Sequence, residues 1–300
     1  VKRVATYSGE SYECLFYTPS GEIGENAFES LRHKNVFRYR AKTIKSGDVV
    51  EVEIYPIWNT KVEAKAARAA ESRAAQRALN RRNSAKTLAR LVDNNFTKDD
   101  VCVYLTYADK GEWHDKKPIL PDKKQARKHI RKFMRDVRAY RKRNGMSELK
   151  YVYVMEFFDG EGRKARAHHH IIMSGIDREV IKKLWKYGGI GERRLDPENY
   201  GNTLAGLVHY ITKQPVDKQT KKWAASRNLK PPKVTIADTK LSKKQAERLA
   251  ADVKAAAPTI FNKHFPDCEL DECYVRSSEI VAGAYIYARM HKDYTVKWKG

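Results

Sequence analysis

The chain reads as an α+β protein built on an antiparallel central sheet covered by helices. Short or alternating apolar runs mark strands at 50–55, 101–107, 149–157 and 166–173. Helical patterns occupy 62–92, 123–143, 177–185 and 203–213. From residue 101 onward the order is strand, helix, strand, strand, helix, bend, helix. A sheet packed on helices is the simplest way for such elements to bury their apolar sides.

The first 60 residues predict short strands and turns. Gly47 and Asp48 mark a turn, Val50-Glu51-Val52-Glu53-Ile54-Tyr55 alternates as a strand, and Pro56 with Trp58 ends it. From 62 to 92 the composition turns to Ala, Arg, Gln and Leu without glycine or proline, which favours helix. Its basic residues are either a solvated face or a rail along a phosphate backbone. The 101–107 strand ends at the Asp109-Lys110-Gly111 turn. The helix at 123–143 carries an apolar stripe of Ala126, Ile130, Phe133, Val137 and Tyr140, with arginines on its other sides. The strands at 149–157 and 166–173 form a hairpin about Asp159-Gly160-Glu161-Gly162. Tyr187-Gly188-Gly189-Ile190-Gly191 is too glycine-rich for a helix and fits a bend around a close neighbour. If 189–193 adds an edge strand, the order becomes βαββαβ. Leu204, Leu207, Val208 and Ile211 line the last helix, which Pro215 closes. Further on, Ser242 and Gln245 form a capping box before a helix at 243–254, and 274–287 holds further strand or helix. These signals divide the chain into a β-rich extension (1–60), a central domain with the basic helices (61–215) and an accessory region (216–300).

Composition narrows the partners. The 300 residues hold 60 Lys and Arg against 37 Asp and Glu, a formal net charge of +23. That excess predicts salt-dependent attraction to a polyanion, DNA or RNA. No long apolar run, signal peptide or lipidation pattern points to a membrane. Four irregularly spaced cysteines (Cys14, Cys102, Cys268 and Cys273) fit a reducing cytoplasm better than a disulfide framework. A zinc module at His264, Cys268 and Cys273 is disfavoured by poor spacing and a missing fourth ligand.

The chemistry concentrates in Ala167-His168-His169-His170-Ile171-Ile172 and Tyr210-Ile211-Thr212-Lys213. On a strand, His168 and His170 share one face about 7 Å apart while His169 points away. Two imidazoles so held can grip a divalent ion, and the hairpin brings Glu156 toward them as a third ligand. Two imidazoles and a carboxylate suit Mg²⁺ or Mn²⁺ acting on a phosphate, and also accept Zn²⁺. Tyr210 is the expected nucleophile, with Lys213 three residues on, on the same helical side, to offset charge. Gly206 and Gln214 flank it at helical spacing, so one tyrosine acts per chain. Lys86, Arg90, Arg127 and Arg131 are candidates for DNA backbone contacts.

These segments resemble the motifs of the HUH endonucleases, the rolling-circle replication initiators and relaxases, and most closely the single-tyrosine phage and plasmid type. Tyr104-Leu105-Thr106-Tyr107 corresponds to the first motif, His168-His169-His170 to the second, and Tyr210 with Lys213 to the third. His169 departs from the bulky hydrophobic residue usual between the two histidines. The resemblance covers roughly residues 65–215. It implies a ferredoxin- or RRM-like core with N- and C-terminal extensions. It also implies metal-dependent nicking and joining of single-stranded or hairpin origin DNA through a 5′-phosphotyrosine. A hydrolytic nuclease, a related relaxase or transposase, and a nucleic-acid-binding protein without chemistry are the alternatives. No phosphate-binding Gly-Lys-Ser/Thr loop is present, so a separate helicase and polymerase are expected, in the cytoplasm of a bacterial host.

Overall fold

The computed structural model describes residues 36–58, 84–108, 121–158, 164–198, 203–212, 223–277 and 283–293. The first half runs β1 (Val36–Ser46), β2 (Val49–Trp58), a helix α1 over residues 84–93, β3 (Val101–Leu105), α2 (Lys123–Arg143), β4 (Tyr151–Phe158) and β5 (Lys164–Met173). Then follow α3 (Arg178–Leu184), β6 (Ile190–Arg194), α4 (Ala205–Thr212), β7 (Ala224–Ala225) and β8 (Lys233–Ala237). The chain closes with α5 (Lys243–Ala251), α6 (Val253–His264), β9 (Cys268–Ser277) and β10 (Ala284–Lys292). The architecture is α+β, two antiparallel sheets flanked by helices. The chain divides into two compact units, residues 88–231 and a second drawn from 1–87 and 232–300.

In the 88–231 unit the strand order is β6-β3-β5-β4-β7, antiparallel throughout. The βαββαβ order is present, because residues 190–194 do supply an edge strand beside β3. Strand alternation splits the core in two. Val101, Val103, Leu105, Ile171 and Met173 face α2 and α3, whereas Cys102, Val152, Val154 and Ile172 face α1 and α4. Helix α2 starts from a capping box, with Asp122 accepting from the Gln125 N–H and Gln125 accepting from the Asp122 N–H. It ends with Arg141 buried, the guanidinium donating to the carbonyls of Ser147 and Gly175 at 2.8 and 2.7 Å. Trp223 and Leu229 pack on the α1/α4 side, β7 pairs with β4, and Asn95 clasps the backbone of Lys230. This unit therefore runs past residue 215 to 231.

In the other unit the order is β8-β1-β2-β10-β9, and α5 and α6 pack against it. Here the structure departs from the boundaries expected at 60 and 216. The β-rich N-terminal stretch is not a separate extension, because β10 pairs along β2 and β8 along β1 to complete one sheet. The β2–β10 pairing unites segments more than two hundred residues apart, which no local pattern reports. Strand β2 also continues through Pro56. Its pairing with β10 stops at Ile54, so the missing N–H of Pro56 falls where no partner strand lies on that side. The helix expected at 243–254 is two helices, since Asp252 is the C-cap of α5 and the N-cap of α6. Residues 274–287 belong to β9 and β10. Of the helix expected at 62–92, only 84–93 lies among the described residues, where it is helical.

The glycine bend at 187–191 grips the end of β3. Thr106 N–H donates to the Gly189 carbonyl and Ala108 N–H to the Tyr187 carbonyl, at 3.0 and 2.9 Å. A Cβ on Gly188 would meet Thr106 O at 2.4 Å and Ala108 N at 2.5 Å. Both are backbone atoms, so neither can swing aside. Gly188→Ala is therefore expected to destabilise the 88–231 unit by about 1–3 kcal/mol or more. Gly145→Ala, at a positive φ of 63° but with nothing within 4 Å, should cost only about 1 kcal/mol. Urea unfolding of the two variants checks the ranking.

Candidate active site

Strand β5 is held on both sides, and its register is unambiguous. His168 lies opposite Glu156; His169 opposite Met155 and Leu105; His170 opposite Val154 and Tyr104. The three histidines therefore divide between two faces. His169 is fully buried on the α2/α3 side, its Nε2 3.0 Å from Tyr107 Oη and its ring edge-on to Trp185. Tyr107 Oη in turn lies 3.3 Å from Nδ1 of His129, which stacks on Tyr187. Burial, helped by the neighbouring imidazoles, pushes His169 down to about 3, so its ring is neutral near pH 7. It serves the core where the HUH pattern has a bulky hydrophobic residue, which accounts for that departure: an imidazole is tolerated because Tyr107 satisfies it.

His168 and His170 take the opposite face. Nε2 of His170 stands 3.0 Å from Glu156 Oε2, an imidazole N–H donating to a carboxylate. The Tyr104 ring lies edge-on to His170 at 5.0 Å between centroids. Tyr210 lies edge-on to the same imidazole at 6.0 Å and 82°. The strand pair and α4 thus bring Glu156, His170 and Tyr210 into one neighbourhood. Tyr210 is 46% exposed and is the one exposed tyrosine among the described residues. Tyr104 is a poor alternative nucleophile, because burial raises its phenol well above the ordinary value and the Cys102 thiol and Tyr210 add to the rise.

Helix α4 presents Tyr210 by burying its other side. Leu204, Leu207, Val208 and Ile211 pack on Leu88, Val92, Cys102 and Ile172, which leaves Gly206, His209 and Tyr210 outward. The start of α4 is pinned by Asp93 of α1. Its carboxylate accepts from the Leu204 N–H at 2.6 Å and from the Thr203 hydroxyl at 2.7 Å. Thr203 Oγ1 then accepts from the Ala205 N–H. A carboxylate at a helix N-terminus is favourable for both hydrogen bonding and the helix dipole.

The donor set fits a hard divalent ion. Two ligands at right angles around an ion bound at about 2.1 Å lie about 3.0 Å apart. That is the separation of His170 Nε2 and Glu156 Oε2. His170 Nδ1 is buried without a hydrogen-bond partner, so the ring is held by packing and by its Nε2 contact. His168 shares the face as the cross-strand neighbour of Glu156. Among the described residues, however, no three His, Cys, Asp or Glu side chains converge on one point.

The remaining expected residues are placed differently. Lys213 lies outside the described residues. Lys86 and Arg90 are both half-buried on α1, with the Lys86 ammonium 5.2 Å from the Tyr287 ring centre. Arg127 and Arg131 ride on α2, across the sheet from Tyr210. Sequence patterning does not mark Tyr104 and Arg193 as neighbours of the site, yet the Arg193 guanidinium lies 5.8 Å from the Tyr104 ring centre. The parity of β3 is the available signal: once Tyr104 is paired with His170, both must share a face.

Residues 100–215 match a family model for the replication-associated protein ORF2. No curated protein and no solved structure gives a significant match to the chain. Among the described residues no helix is long and apolar enough to cross a membrane.

Removing the Asp93 carboxylate orphans the Leu204 N–H and the Thr203 hydroxyl together. Asp93→Ala should cost about 1–2 kcal/mol. Hydrogen exchange should speed up in α4 before it does in β5, and equal acceleration across both would contradict the pinning role.

Proposed function

The chain carries a replication-associated domain of the ORF2 family over residues 100–215, and from that premise we propose that it initiates rolling-circle replication by nicking and rejoining single-stranded DNA with Tyr210. The observation that carries this reading is the exposed Tyr210 phenol set edge-on to an imidazole that is itself bonded to Glu156. An exposed hydroxyl is reachable by an incoming strand, whereas the buried phenols around it are not.

The reaction is an exchange of esters. The Tyr210 oxygen attacks phosphorus, the bond from phosphorus to the 3′ oxygen breaks, and the phenolic proton passes to solvent. The products are a 5′-phosphotyrosine and a free 3′-hydroxyl, so bond energy is conserved and the reverse attack rejoins a strand. Glu156, His170 and His168 would hold Mg²⁺ or Mn²⁺, which when bound neutralises phosphate charge and orients the ester for in-line displacement. Glu156 and His170 hold each other's orientation, and β3 and β4 fix the strand that bears the histidines. Packing of α4 limits the phenol to that side of the sheet. Lys213, three residues after Tyr210, offsets charge on the phenolate or the phosphate. The substrate is single-stranded or hairpin origin DNA, with strand separation and synthesis left to a separate helicase and polymerase.

The test is incubation of the full chain with short single-stranded oligonucleotides and Mn²⁺, followed by denaturing electrophoresis and peptide mapping. A DNA-shifted band mapping to Tyr210 is expected. Tyr210→Phe should lower cleavage by at least about 10³-fold and abolish the band. Glu156→Gln should lower cleavage about 10–100-fold, partly restored by raising Mn²⁺. A Tyr210→Phe protein that still cuts would establish water as the nucleophile and sink the transesterase reading.

A further inference from the structure

The face of the 88–231 sheet away from Tyr210 carries a second set of features that the nicking reaction does not use. Residues of one parity on β4 put aromatic rings there: Tyr151, Tyr153 and, farther along, Phe157, all half-buried. Tyr151 and Tyr153 stack with centroids 6.1 Å apart and planes 24° from parallel. Alternate residues of an antiparallel strand are about 6.8 Å apart, roughly twice the 3.4 Å rise of a stacked nucleic-acid strand.

Beside this aromatic row runs a row of cations on α2. Arg138 donates to the Tyr151 hydroxyl at 3.1 Å and lies 5.3 Å from that ring's centre. The Lys123 ammonium lies 5.8 Å from the Phe157 ring centre at the other end. Between them, Arg131 and Arg127 lie close enough to Tyr153 to favour its phenolate, although burial dominates and raises that phenol. Spacings of four residues put 123, 127 and 131 on one side of the helix. Neither Arg127 nor Arg131 pairs with a carboxylate among the described residues, although the chain holds 37 acids. Beyond Tyr153, β4 has no partner strand on its outer edge among the described residues, because β7 pairs only with Val152 and Tyr153.

Rings in a row with guanidinium groups alongside match the two parts of single-stranded nucleic acid: π faces for the bases and positive charge for the backbone. A duplex keeps its bases stacked inside and cannot use the rings. We infer that the β4–α2 groove is a binding track for single-stranded DNA, separate from the catalytic face and reached around the β4 edge. The choice of DNA over RNA rests on the proposed nicking function; the groove chemistry itself does not.

The experiment uses full-length protein carrying Tyr210→Phe, so that binding is measured without transesterification. The probe is an iodouracil-substituted oligodeoxynucleotide of about 20 nucleotides, longer than the roughly 4–16 that one platform covers. Photocrosslinks are expected on Tyr153 or Phe157. Adding Arg127→Glu and Arg131→Glu should weaken binding at least about 10-fold, with the slope of log affinity against log salt shallower by about 1.4. Tyr153→Leu should weaken it without changing that slope. Should Tyr153→Leu fail to fold, the charge variants still decide the matter. Crosslinks confined to the Tyr210 face with unchanged affinity in the charge variants would overturn the track. Equal affinity for duplex, or tighter binding of RNA of the same sequence, would overturn its assignment to single-stranded DNA. The adduct at Tyr210 is scored in a separate assay, so either proposal can fail alone.

Discussion

The candidate site depends on the register of β5. Three consecutive histidines occupy a strand whose neighbours on both sides are fixed by antiparallel ladders. A slip of one residue would turn His169 outward and drive His168 and His170 into the core. Each direction is closed by a different force. On the inner side, Tyr107 satisfies His169 and Trp185 packs against it, and a charged ring is excluded by burial. On the outer side, Glu156 holds His170. The arrangement is therefore over-determined, as a site that must present two ligands in fixed positions requires.

The same sheet serves both sides of the unit because every strand alternates. Helix α4 closes one face and carries Tyr210; helix α2 closes the other and carries Arg127 and Arg131. Parity links these halves along β4, where Glu156 belongs to one face and Phe157 to the next. A strand of DNA turning about that edge would pass from one to the other within a single residue step, about 3.4 Å.

Much of this is legible in the residues themselves. The βαββαβ order, the edge strand at 190–194, the capping box at Ser242 and the apolar side of α4 follow from patterns within a dozen residues. Glu156 is reached by folding a hairpin about its turn, which is also local reasoning. The sheet shared by β2 and β10 is not legible, because it joins residues more than two hundred positions apart and neither strand names its partner. The same holds for Asp93, an ordinary helical carboxylate until α4 is laid beside it. Periodicity marks Arg127 and Arg131 as surface cations of a helix, but not as lying across the sheet from the tyrosine, since charge patterning says nothing about which face a helix covers.

What residue order alone established is periodic: which segments are strands, which are helices, and that His168 and His170 must share a face that His169 does not. Those follow from backbone geometry, which is the same for every strand. Tertiary packing decided what each face meets. It set Tyr210 beside His170, gave His169 to the core, and put the guanidinium row beside the rings of β4. Contacts between segments distant in the chain depend on how helices and sheets fill space against one another, and that is settled only once the whole unit has closed.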